Sequence, residues 1–156
     1  MIDANAVREA IRAVPPPERI DEDVRRMLAR HPGIAMLLDL EMQRAEPGSA
    51  RRFETLALAV IGAFERAGRL PSLDDRLVAA AALSVERDVA HARSDGDLSR
   101  FAADFAAQME LFAGVSALHR ALFADAPATE TAGRAFWFFH ALARACLTAG
   151  PAPLLA

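Results

Sequence analysis

His119 and His140 are the residues of this 156-residue chain whose type and spacing best suit them to hold a ligand. Each falls on the apolar stripe of a long helical segment, His119 beyond Met109 and Phe112, His140 beyond Phe136 and Trp137. Two imidazoles turned into a helical bundle are one way to ligate haem or a metal ion. Met109, Phe112, Phe136 and Trp137 would line the same pocket. A lone His on an apolar face more often stays neutral and bonds to backbone. His119 and His140 are therefore candidate ligand-binding residues, and no cofactor is assigned to them.

Asp88 and His91 place a carboxylate and an imidazole on one helical surface, half of the carboxylate-x-x-His arrangement of di-iron bundles. The second half is missing, because Ser116 precedes His119 and Trp137 precedes His140 at that spacing. The pair is a weak candidate for metal ligation and reads first as a solvated pair near a helix C-terminus, where a cationic His is favoured. Cys146 follows His140 by six residues, nearly opposite on a helical wheel, so that imidazole cannot activate it. A buried structural thiol is expected. Ser84 and Ser116 sit among apolar neighbours and can bond back to carbonyls one turn earlier. Asp74-Asp75 lacks the second acidic motif of a paired-carboxylate Mg²⁺ site, and the eight glycines punctuate helix ends rather than forming a phosphate cradle. No catalytic residue is assigned.

The elements that must position these groups are all helical. Apolar residues recur at helical spacing throughout, and no stretch alternates as a strand does. A first helix is expected over Asp3–Val14, closed by Pro15-Pro16-Pro17, which fix φ and remove donors. Residues 1–14 are then either a packed helix or an arm docking elsewhere. A second helix, Glu18–Arg30, turns Ile20, Val24, Met27 and Leu28 inward. Its early acids and its late Arg26, Arg30 and His31 complement the helix dipole. Pro32-Gly33 breaks it. The third, Ile34–Ala45, is apolar on nearly every side except Asp39, Glu41 and Gln43.

Ser49 caps a fourth helix with the stripe Phe53, Leu56, Ala57, Val60 and Phe64, ending at Gly68. Ser72 and Asp75 have capping-box spacing and open a fifth helix reaching about Ser94. The turn Asp95-Gly96-Asp97 leads to a sixth over 98–124, so that 73–94 and 98–124 form a long antiparallel hairpin. A seventh, capped by Thr129, runs to about Ala149. It carries Phe136-Trp137-Phe138-Phe139-His140, five residues that point around most of a helix and cannot all face one core: either this is a central helix touched on several sides, or it presents an exposed aromatic patch for binding. The expectation is an all-α, single-domain bundle of six to seven helices spanning residues 1–156.

Composition narrows the function classes. The eighteen basic side chains are all Arg and there is no Lys or Tyr, the imprint of a GC-rich genome rather than of phosphate binding. Net charge is −3 with arginines interleaved among acids, so no electropositive face for nucleic acid is expected. One cysteine excludes an intrachain disulfide. The absence of a basic-then-apolar leader and of a long charge-free apolar run points to a cytoplasmic chain outside the membrane. Just over half the residues are apolar, a surplus that suits self-association or a protein partner. The leading expectation is a non-catalytic helical interaction protein: an adaptor, regulatory or accessory subunit. The alternative is a bundle holding an apolar ligand, haem or a metal between its last two helices, possibly an enzyme.

Overall fold

A computed structural model describes residues 4–44, 50–68, 70–94 and 130–149. These form a packed helical bundle with six α-helices and, among the described residues, no strand. They are α1 (Ala4–Ala13), α2 (Ile20–Arg30), α3 (Gly33–Arg44), α4 (Ala50–Ala67), α5 (Asp75–Ser94) and α6 (Glu130–Ala149). A 3₁₀ turn, Pro17–Arg19, leads into α2. The expected second arm of the hairpin, 98–124, with its turn, lies outside the described residues, as do the caps Ser49 and Thr129.

Two helices organise the bundle. α4 is buried on several sides through Phe53, Leu56, Ala57, Ala59, Val60, Ile61 and Ala63, because α1, α2, α3 and α6 all pack on it. Its many alanines let those neighbours approach closely. α6 packs mainly on α5 and α4 and also touches α3. Six consecutive α6 residues, Phe138 to Ala143, are buried. Successive helical side chains point in all directions, so such a run requires cover all round. The ring of Phe138 meets that of Phe53 edge to face, 5.4 Å between centroids. Residues 4–13 are a packed helix, seated on α4 through Ala6, Val7 and Ala10.

The strand-free segment before α5 is wedged against the α2–α3 corner, and its capping differs from the sequence expectation. Asp74, not Ser72, caps α5: the Leu77 N–H donates to Asp74 Oδ1 at 2.8 Å. Ser72 instead donates to the Arg30 carbonyl at 2.8 Å, closing an orphan acceptor at the end of α2. The Gly33 N–H donates to the Leu73 carbonyl at 2.8 Å. This approach is so close that a Cβ on Gly33 would lie 2.4 Å from Asp74 O and 2.7 Å from Val78 Cγ2.

That contact yields a signed prediction. In an open helix, Gly→Ala stabilises by about 1 kcal/mol. Gly33→Ala is expected instead to destabilise by about 1–3 kcal/mol, because the backbone of Asp74 cannot swing aside as a side-chain tip would. Gly68→Ala, with nothing within 4 Å, is the control and should stay within about 0.5 kcal/mol of wild type in urea unfolding.

Candidate functional site

The best-defined polar cluster joins α2, α4 and the segment before α5. His31, at the C-cap of α2, is 2 % exposed. The Leu73 N–H donates to its Nδ1 at 3.2 Å, and Nε2 lies 3.2 Å from Glu65 Oε1 on α4. A backbone amide is always a donor, so Nδ1 must accept and the ring is the neutral tautomer with its proton on Nε2, donated to Glu65. His31 is therefore a buried bridge between three segments, not the dipole-compensating cation its helix-end position suggests. The same Glu65 oxygen receives Arg30 Nη1 at 3.2 Å.

Cys146 of α6 is fully buried, and the charge of Glu65 acts on it. A buried thiol of this kind is not an activated nucleophile, because the thiolate is the reactive form. Burial, reinforced by the Glu65 charge, pushes the Cys146 thiol well above its ordinary range, so the thiolate is suppressed. Folded protein is expected to resist a thiol-specific disulfide reagent and to react fully once unfolded in guanidinium. Because the folded pKa is raised, this contribution to stability is complete below the ordinary thiol range. It is lost as pH rises beyond that range, where unfolding releases a proton the native state retains. Cys146→Ala should flatten that alkaline slope in a denaturation series.

A cleft of about 220 Å³ opens beside this cluster, between the end of α1, α2 and α4. Ala10, Met27, Leu58 and Ile61 give it apolar surface, and Arg26, Arg30, Arg66, Asp23 and Glu65 give it charge. Those charges are largely self-compensating: Arg30 pairs with Glu65, and Arg26 with Glu22 at 3.3 Å and Asp23 at 3.9 Å. Arg66 turns back onto the Gly62 carbonyl at 3.1 Å.

The residues singled out from sequence fall as follows. His140 is 3 % exposed on α6, its ring 5.4 Å from that of Phe139 in an edge-to-face pair. Trp137 is half-buried and packs against the core. Phe136 belongs to the same helix, with its side chain outside the described set, and His119, Phe112 and Met109 also lie outside the described residues.

Asp88 accepts from Arg144 Nη1 at 2.8 Å, clamping α5 to α6, and His91 is exposed one turn on. The same Arg144 nitrogen also donates to Ser84 Oγ, so Ser84 serves the helix–helix clamp. Among the described residues no group of three or more His, Cys, Asp or Glu side chains is arranged to hold a metal ion. No helix of the described residues is long and apolar enough to cross a membrane.

Two buried polar residues were not anticipated. His31 follows Ile20, Val24 and Met27 at helical spacing, and Glu41 (1 % exposed) follows Ile34, Leu37 and Leu38 in the same way. Both lie on the inward stripe of their helices, and that periodicity was the signal. Compared with protein-family models, curated proteins and solved structures, the chain finds no match.

Proposed function

We propose that this protein is a non-catalytic helical interaction protein, an adaptor, regulatory or accessory subunit that associates with a second copy or with a protein partner. The observation that carries the reading is a contrast between two sets of side chains. His31, Glu65, Arg144, Asp88 and Ser84 are engaged in joining helices, and Cys146 is sealed in the core. Large apolar side chains, by contrast, stand in solvent: Met42 on α3 is 51 % exposed and Leu83 on α5 is 56 % exposed. In this reading Met42 and Leu83 are the contact points that association would cover.

Met42→Glu and Leu83→Glu test this directly. Each is expected to leave the helical circular dichroism unchanged and to weaken association at least about tenfold, the equivalent of roughly 1.4 kcal/mol. Unchanged association in both variants would place the interface elsewhere and remove the observation on which this reading rests.

A second reading draws on His140, an imidazole held inside the bundle among apolar residues. In that reading the helices around α6 take an apolar ligand, haem or a metal beside it. Titration with haemin would then give a saturable absorbance change that His140→Ala abolishes. A featureless titration would end it.

A further inference from the structure

We infer that His31 is a proton-sensitive latch. While neutral it holds the segment before α5 on the α2–α3 corner, and as a cation it lets that segment go.

Three hydrogen bonds tie Ser72 and Leu73 to that corner. The Ser72 hydroxyl donates to the Arg30 carbonyl and the Gly33 N–H to the Leu73 carbonyl, each at 2.8 Å. The Leu73 N–H donates to His31 Nδ1 at 3.2 Å. The first two bonds join groups that keep their charge state at any ordinary pH. The third depends on the lone pair of Nδ1, which exists only in the neutral ring. A proton there sets two N–H donors against each other. His31 is 2 % exposed and Leu73 is fully buried, so solvent is poorly placed to satisfy either donor.

The other side of the ring responds in the opposite sense. Nε2 lies 3.2 Å from Glu65 Oε1, and a cationic ring makes that bond charge-assisted, the stronger kind. Protonation therefore strengthens the tie to Glu65 and breaks the tie to Leu73. The ring stays with α4 and the connecting segment loses its hold. Leu73 is pinned through both its N–H and its carbonyl, so losing the first bond loosens the second. The next residue, Asp74, is the cap of α5. One proton on His31 is thereby felt at the start of that helix.

The groups around the ring leave His31 as the one that switches. Glu65 of α4 shares its Oε1 between His31 and Arg30 of α2. The first turn of α3, residues 33–36, has no ionisable side chain. Asp74 directs Oδ1 to the Leu77 N–H. Cys146 of α6, on which the Glu65 charge acts, is held as the neutral thiol. Histidine is the side chain whose charge ordinarily changes between about pH 5 and 8.

The test is amide hydrogen exchange, with ¹⁵N spectra of the imidazoles, on the full chain from about pH 7.5 to 5. Once corrected for the intrinsic pH dependence of exchange, protection of the Leu73 amide is expected to fall at least about tenfold. That of Val60, in the buried centre of α4, should hold. Over the same range the His31 Nδ1 resonance should move from that of an acceptor to that of a protonated nitrogen. In His31→Asn, which keeps an acceptor and cannot titrate, Leu73 protection should not depend on pH. Leu73 protection that survives the whole range, whether or not His31 titrates, would overturn the inference. Joint loss at Leu73 and Val60 would be global unfolding, for which the buried His140 is another source, and would equally refute a local latch. A pH-dependent loss persisting in His31→Asn would place the responsible proton elsewhere. Should that variant fail to fold, the wild-type spectra decide: loss of protection that does not track the His31 titration contradicts the latch.

Discussion

Phe138→Ala is expected to lower the stability of the bundle by about 3–5 kcal/mol, as truncation of a buried aromatic does when its surroundings cannot collapse. Phe138 is fully buried on α6 and lies edge to face with Phe53 of α4, so the substitution opens a void between the two organising helices. The loss compares with a typical total of about 5–15 kcal/mol for a domain. Phe138→Ala should therefore unfold at far lower urea concentration than wild type. Phe138→Leu, which keeps most of the apolar volume, should recover a large part of the difference. A Phe138→Ala midpoint close to wild type would mean that α6 is not the packed centre described above.

His31→Ala is the second large effect. It removes the acceptor of the Leu73 N–H inside the protein and the bridge to Glu65. Leaving a buried donor unmade costs about 1–3 kcal/mol, and the lost ring adds a packing term, so a total of about 2–4 kcal/mol is expected. His31→Asn separates the contributions. Its side-chain oxygen can stand in for Nδ1 as acceptor, while the reach to Glu65 is lost. About half of the stability should return, and the Leu73 amide should regain slow hydrogen exchange while that of His31→Ala stays fast. Equal destabilisation by Ala and Asn would show that the backbone bond contributes little.

These two residues also show what was legible in the sequence. An aromatic run that no single face can hold left two readings, a helix covered on several sides or an exposed aromatic patch, and the burial of Phe138 to Ala143 fits the first. The Pro15-Pro16-Pro17 break, the turn at Pro32-Gly33 and the end of α4 near Gly68 were likewise readable, because Pro and Gly act locally.

The His31 cluster was not anticipated. Its position on the inward stripe of α2 was visible, but it lies at the C-cap, where a charged dipole partner is the ordinary local reading. Its partners Glu65 and Leu73 are far off in sequence, and only the packing of α4 and α5 brings them in. Glu41 was assigned to the polar side of α3 by its chemistry, although its spacing from Ile34, Leu37 and Leu38 places it inward.

At the start of α5, Ser72 and Asp74 are both good caps, and local propensity does not choose between them. The choice was made by the Arg30 carbonyl at the end of α2, which takes the Ser72 hydroxyl and leaves Asp74 to cap. Ser84 was read as able to bond back along its own helix; across the bundle its oxygen accepts from Arg144 of α6. In both places a contact made across the bundle adds what local preference does not supply.

Association is measured most directly by sedimentation equilibrium from about 1 to 100 µM, the affinity range typical of a modest protein interface. The expected weight-average mass rises with concentration from the 16.8 kDa of one chain toward twice that value. A mass that stays at 16.8 kDa through the highest concentration, with no protein partner recovered by pull-down, would contradict it.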